Sequence, residues 1–146
     1  MKTIILPVLL AFISTAIHAQ RFNGVQHANP EKKLTADYCS ALFENVNGSI
    51  IPVTSEQAAG YLNILDWLEG RVAGLQVYIA RNRDRIPVIR GSVAAVFVDE
   101  IRVDPGYLNS LSTFDIAFVK VIKEPFVGSP GAASAVAIYT RTGFEE

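Results

Sequence analysis

The stretch that most limits the fold is LEGRVAGLQVYIARNRDRIPVIRG, Leu68 to Gly91. Gly70 and Gly74 stand four apart between an apolar segment of helical spacing and one that alternates with period two. A residue without Cβ takes positive φ at little cost, so Gly70 is placed at the end of a helix and Gly74 where the next strand begins. Leu75 to Ile79 alternates as a half-buried strand does, and Pro87 to Gly91 supplies a second strand. Taken alone, these residues are structural punctuation at a helix-to-strand junction and carry no chemistry.

The rest of the chain extends this alternation of helix and strand. Thr54 or Ser55 caps a helix that runs through Leu62, Leu65, Trp67 and Leu68, with Trp67 as a core residue. Ala94 to Val98 and Ile101 to Val103 read as a strand and its return. A further strand begins at Ile116 and continues to Lys123, and Val136 to Thr140 closes the set. Pro105-Gly106 marks a turn, Tyr107 to Leu111 one helical turn, and Ser112 or Thr113 the cap of another short piece. Upstream, Leu34 to Val46 reads as a short amphipathic helix with Tyr38, Leu42 and Val46 on one stripe. Asn47-Gly48 stops it, and Ile50 to Val53 forms an edge strand, since Pro52 cannot serve a central one. The expected fold is α+β, a small mixed sheet of about four strands with one or two packed helices.

Composition narrows the class of activity. Half of the 146 residues are hydrophobic and the formal net charge is −1, which fits one folded domain with no general pull toward nucleic acid. The opening MKTIILPVLLAFISTAIHAQ has one early lysine and an apolar run from Ile4 to Ile17. A membrane-spanning helix needs ~20 apolar residues, so this run is read as a secretory leader, residues 1–19, cut after Ala19. Gln20 to about Lys33 is polar and aperiodic and is read as a mobile arm. Cys39 is the only cysteine, which excludes an internal disulfide and suits a small buried apolar side chain. His27 is the only histidine after the leader, so zinc clusters and a Ser-His-Asp triad have no credible members.

Three charged or small-residue groups remain. Arg81, Arg83, Arg85 and Arg90 lack the interleaved aromatics of a single-strand nucleic-acid platform, and Arg81 to Arg85 fits a solvated hairpin loop. Asp99-Glu100 offers two adjacent carboxylates, but no third ligand or base accompanies them, so a turn is the better reading. Glu100 tolerates positive φ poorly, so this turn is expected to be wider than two residues, or strained. Gly128-Ser129-Pro130-Gly131 lacks the lysine and spacing of a phosphate loop.

The segments LEGRVAGLQV, VIRG, AVFVDEIRVD, FDIAFVKVIKEPF and GSPGAASAVAIYTRTG occur in the order and spacing of one family's pattern. From about Leu62 to Gly143 the chain resembles the plug domain of TonB-dependent outer-membrane receptors, in particular the nutrient-importer branch. The resemblance implies an arm with a short helix over 20–61 and a plug-like domain over 62–146. It implies Arg90 and Lys123 as partner-binding residues that face carboxylates of a barrel wall, against plain solvated strand ends as the alternative. Gly70, Gly74, Gly91 and Asp99 take structural roles, with Asp99 at a turn where the family carries Asp-Gly. Family receptors continue into a barrel of about 22 strands, whereas this sequence ends at Glu146, so no channel is expected from it alone. The functional expectation is a non-enzymatic periplasmic protein, without cofactor or metal, that binds and occludes an outer-membrane barrel or secretion translocon. The alternatives are a truncated receptor remnant and a small periplasmic ligand-binding module.

Overall fold

The computed structural model describes residues 30–40, 42–126 and 131–141. The leader, His27 and most of the Gln20–Lys33 arm lie outside the described residues, as does most of the Gly128–Gly131 loop. The fold is α+β. One mixed sheet has five strands in the order β1-β7-β8-β5-β6, and a second sheet has three in the order β2-β3-β4. The strands are β1 Ser49–Pro52, β2 Leu75–Ile79, β3 Arg85–Ile89, β4 Ser92–Val93, β5 Ala95–Val98, β6 Ile101–Val103, β7 Ile116–Ile122 and β8 Ala135–Thr140. Among the described residues there are also three short helices, α1 Pro30–Tyr38, α2 Ser55–Ala58 and α3 Ile64–Leu68, and two 3₁₀ segments, Pro105–Asn109 and Thr113–Asp115. β5 runs parallel to β8, and every other pairing in the large sheet is antiparallel. The sheet therefore exceeds the expected four strands. No helix among the described residues is long and apolar enough to cross a membrane.

The large sheet buries both faces. On one, Val96, Val98, Val119, Val121, Val136 and Ile138 pack with α3 and with Leu75 and Ile89 of the small sheet. On the other, Phe97, Phe118, Ala137 and Tyr139 pack under Cys39 and Phe43, with Tyr38, Leu42, Val46 and Phe126 alongside. This second core makes residues before Leu62 part of the same unit, which spans Glu31–Glu146. The expected boundary at Leu62 is thus too late. β1 pairs along β7 from Ser49↔Val121 to Pro52↔Phe118, and Phe43 is fully buried. β1 is an edge strand that ends at its proline, as Pro52 required.

The N-terminal helix also differs from expectation. α1 begins at Pro30, within the segment read as arm, and ends at Tyr38 rather than Val46. Pro at a helix start gives up no intrahelical hydrogen bond. Thr35 lies inside the helix, with its hydroxyl donating to the Glu31 carbonyl at 2.9 Å. Tyr38, Leu42 and Val46 still share one core, although Leu42 and Val46 reach it from turns. α3 is capped by Asn63, whose side chain accepts from Leu65 N–H at 2.9 Å, and Gly70 follows its end at φ +81°. Trp67 is core as expected, and its indole N–H donates to the Gln57 carbonyl at 3.0 Å.

Candidate functional site

Two short turns and one strand end build the site. β3 ends at Ile89 and β4 begins at Ser92, so Arg90-Gly91 is the two-residue turn between them, with Arg90 at φ +53° and Gly91 at +81°. The sequence placed Arg90 on a strand; the chain instead turns there, because Gly91 supplies the second positive φ of a tight hairpin. Gly74, at φ +82°, turns its carbonyl to accept the Arg90 N–H at 3.2 Å. The glycine that starts β2 thereby holds the backbone of Arg90. A Cβ on Gly74 would meet Arg90 Cγ only at 4.0 Å, so the requirement there is conformational and not spatial.

Lys123 follows β7 directly, and its carbonyl accepts from the Arg90 guanidinium at 3.5 Å. The structure thus brings together the two residues to which the resemblance gave a partner-binding role. They share a shallow depression of about 230 Å³ with Asn47, Gly48, Ser49, Val121 and Glu124. Gly48 lies close against β7, where a Cβ would stand 3.0 Å from the Val121 carbonyl and 3.2 Å from Lys120 Cγ. Arg85 and Asp66 form the ion pair found among the described residues, at 2.6 Å, and neither Arg90 nor Lys123 is in such a pair. The depression therefore presents two cations that form no ion pair among the described residues, with the Glu124 carboxylate also on its lining, and a further acidic group can bind there.

The acidic turn does something else. β5 and β6 are joined by Asp99-Glu100 with Val98 opposite Ile101, so of the two forms expected the turn takes the strained two-residue one and not the wider one. Asp99 and Glu100 both take positive φ, +46° and +67°. Hydrogen bonds hold this conformation. Asp99 accepts from Thr140 N–H at 2.8 Å and from its hydroxyl at 2.7 Å. Glu100 accepts from Ser40 N–H at 2.7 Å, from the Ser40 hydroxyl, and from Tyr139 at 3.4 Å. The two carboxylates join the α1 segment and β8 to the turn, and no group of three metal-ligating side chains occurs among the described residues. Beside them, burial pushes the Cys39 thiol up, partly opposed by its hydrogen bond with Tyr139. Burial likewise raises the Tyr139 phenol, with the Cys39 hydrogen bond adding to it.

Two features had little signal in sequence. Lys120 is 3% exposed, and its ammonium donates to the Phe43 carbonyl at 2.5 Å, tying the 42–46 turn to β7. A lysine among alternating valines reads as an outward residue, and only the covering turn makes its side of the sheet an inside. Arg85 was assigned to a solvated loop; it opens β3 and its Nε donates to both Asp66 oxygens at 2.6 Å. Asn109 connects the same region, accepting from Asn63 at 3.1 Å and donating to Asp84 at 3.0 Å.

No family model matches the chain, and no curated protein matches it significantly. Solved structures do. The chain is similar to a chain of the RagAB peptide importer in its closed-closed state, with a TM-score of 0.52 and 26% identity over 66% of this chain. The open-open state of that importer gives 0.48 at 24% identity, and a structure of the RagAB peptide transporter gives 0.47 at 23%. This chain spans 12% of the chain in the closed-closed structure. Its fold is thus similar to one part of a chain of that importer.

Proposed function

We propose that the chain is a plug-like protein, exported by its N-terminal leader, that seats in an outer-membrane β-barrel or secretion translocon and occludes it without catalysing a reaction. The observation that carries the proposal is the pairing of Arg90 and Lys123 at one depression. A barrel lumen lined with acidic side chains would satisfy both cations. The likeness to part of a peptide importer's chain agrees with this reading, as does the order of the plug-like segments in the sequence. In this account the Asp99-Glu100 turn and Gly74 are scaffold: they fix the sheets that present the two cations.

Affinity purification of the tagged protein from detergent-solubilised cell envelopes tests it. A barrel protein should co-purify with the parent chain. Failure to recover any envelope protein would favour a second reading, a plug segment belonging to a larger receptor, which the 12% share of the importer chain makes concrete. An immunoblot for the size of the native polypeptide separates the two.

A further inference from the structure

The small sheet is apolar on both faces. Cross-strand pairs fix which residues share a face: Gln76 lies opposite Val88, Val88 opposite Val93, and Tyr78 opposite Ile86. Leu75 and Ile89, also opposite each other, belong to the core beneath, and Val77 packs against it. Successive side chains of a strand point to opposite faces, so Gln76, Tyr78, Ile86, Val88 and Val93 make up the outer one. An antiparallel sheet with one solvated face commonly alternates apolar inward and polar outward. This one breaks the rule, since Gln76 is the single polar residue of its outer five. Tyr78 and Val93 are 56% and 59% exposed, with Ile86 and Val88 half-buried between them.

The apolar surface continues past β4. Val93 also lines a groove of about 400 Å³ with Val96, Val103, Arg102 and Asp104. The Asp104 carboxylate already accepts from Gly106 N–H at 2.9 Å, whereas Arg102 is exposed and in no ion pair among the described residues. At the other end, Arg90 stands two residues beyond Val88, about 7 Å of strand, in the turn that leads to Val93. The face is thus bordered by one cation at the groove and another at the Arg90–Lys123 depression.

We infer that this face and its groove form the apolar centre of a contact whose rim includes Arg90 and Arg102, and that the barrel partner covers them. Continuity argues for that occupant: Arg90 and Val93 are three residues apart on one hairpin, so a wall that reaches the first lies over the second. Charge narrows its chemistry. Cations at both ends of an apolar face fit a segment with an apolar side chain for the groove and acidic residues on either side. Tyr78 supplies the kind of aromatic side chain on which binding energy concentrates. The inference rests on the plug reading for the identity of the partner.

Co-purification from detergent-solubilised envelopes tests it, scored by the amount of barrel protein recovered. Val93→Asp and Tyr78→Ser should each lower recovery at least about tenfold. Both residues are more than half exposed, so the circular dichroism spectra should match the parent's. Leu62→Asp, at a residue 90% exposed and outside this face, should leave recovery unchanged. If Arg90→Ala loses the partner while Val93→Asp and Tyr78→Ser keep it, the inference is overturned and the plug reading stands. A parent chain that recovers no barrel protein overturns both. A parent that dimerises through this face, with Val93→Asp monomeric in sedimentation equilibrium, would also overturn it, because the occupant is then a second copy.

Discussion

Gly106→Ala tests whether the hairpin carrying Arg90 is docked by its polar network or merely lies near it. A Cβ at Gly106 would stand 2.9 Å from both carboxylate oxygens of Asp84 and 3.0 Å from its Cγ. That carboxylate accepts from Asn109 at 3.0 Å and from Asn82, so it cannot retreat without losing partners. Displacing one hydrogen bond to a charged group costs roughly 1.5–3 kcal/mol. Replacing glycine at a compatible φ returns about 0.4–1 kcal/mol through the unfolded chain. The net expectation is destabilisation of about 1–2 kcal/mol, read by urea unfolding. In an Asp84→Ala background the clash is gone, so the same substitution should stabilise by about 0.4–1 kcal/mol. The sign change, a coupling of roughly 1.5–3 kcal/mol, is the diagnostic result. Equal effects in both backgrounds would refute the argument that Asp84 is pinned against the 3₁₀ segment.

Other outcomes follow from the second core and the acidic turn. Phe43→Ala should cost about 3–5 kcal/mol in a denaturation series, because the ring is fully buried against Phe97 and Phe126; a cost below about 1 kcal/mol would mean the 42–46 segment is not part of the fold. Asp99→Ala should destabilise by about 1–3 kcal/mol by leaving the Thr140 N–H and hydroxyl without their acceptor. Cys39 is buried, so a neutral-pH thiol reagent should label it only after unfolding. Cys39 and Tyr139 both bind their protons more tightly in the folded than in the unfolded chain, whose ordinary values are 9.0 and 10.0. The folded state thus holds more protons above about pH 9, and stability should fall as pH rises from there; a flat alkaline profile would contradict their burial.

Much of this fold was legible because local rules and tertiary demands agree. Gly70 and Gly74 sit at positive φ where the helix ends and β2 begins. The period of Leu75 to Ile79 gave β2 its residue limits, and Pro52 fixed β1 as an edge. The Asp99-Glu100 turn was left between a wider and a strained form because propensity sees only the cost of Glu100 at positive φ; the strained two-residue form is the one adopted. The compensating hydrogen bonds are donated by Ser40 and Thr140, 60 and 41 positions away. The same distance effect hid Lys120, whose partner carbonyl is 77 residues upstream. The start of the folded unit was placed too late because the Tyr38, Leu42 and Val46 stripe was read as a helix on the arm, whereas these residues pack on the large sheet. For the site, sequence offered Arg90 and Lys123 only through a resemblance. Their adjacency arises from β7 ending beside the β3–β4 turn, which no spacing along the chain encodes.

Co-purification of single-residue variants from detergent-solubilised envelopes tests the central claim most directly. If Arg90 and Lys123 meet carboxylates in a poorly hydrated barrel lumen, removing either strands a buried charge and costs about 2–5 kcal/mol of binding. Arg83 sits exposed in the β2–β3 loop, where an ion pair contributes ~0–1 kcal/mol. With folding verified by circular dichroism, Arg90→Ala and Lys123→Ala should lose the envelope partner while Arg83→Ala retains it. Recovery of the same partner, in the same yield, by all three variants would contradict the account.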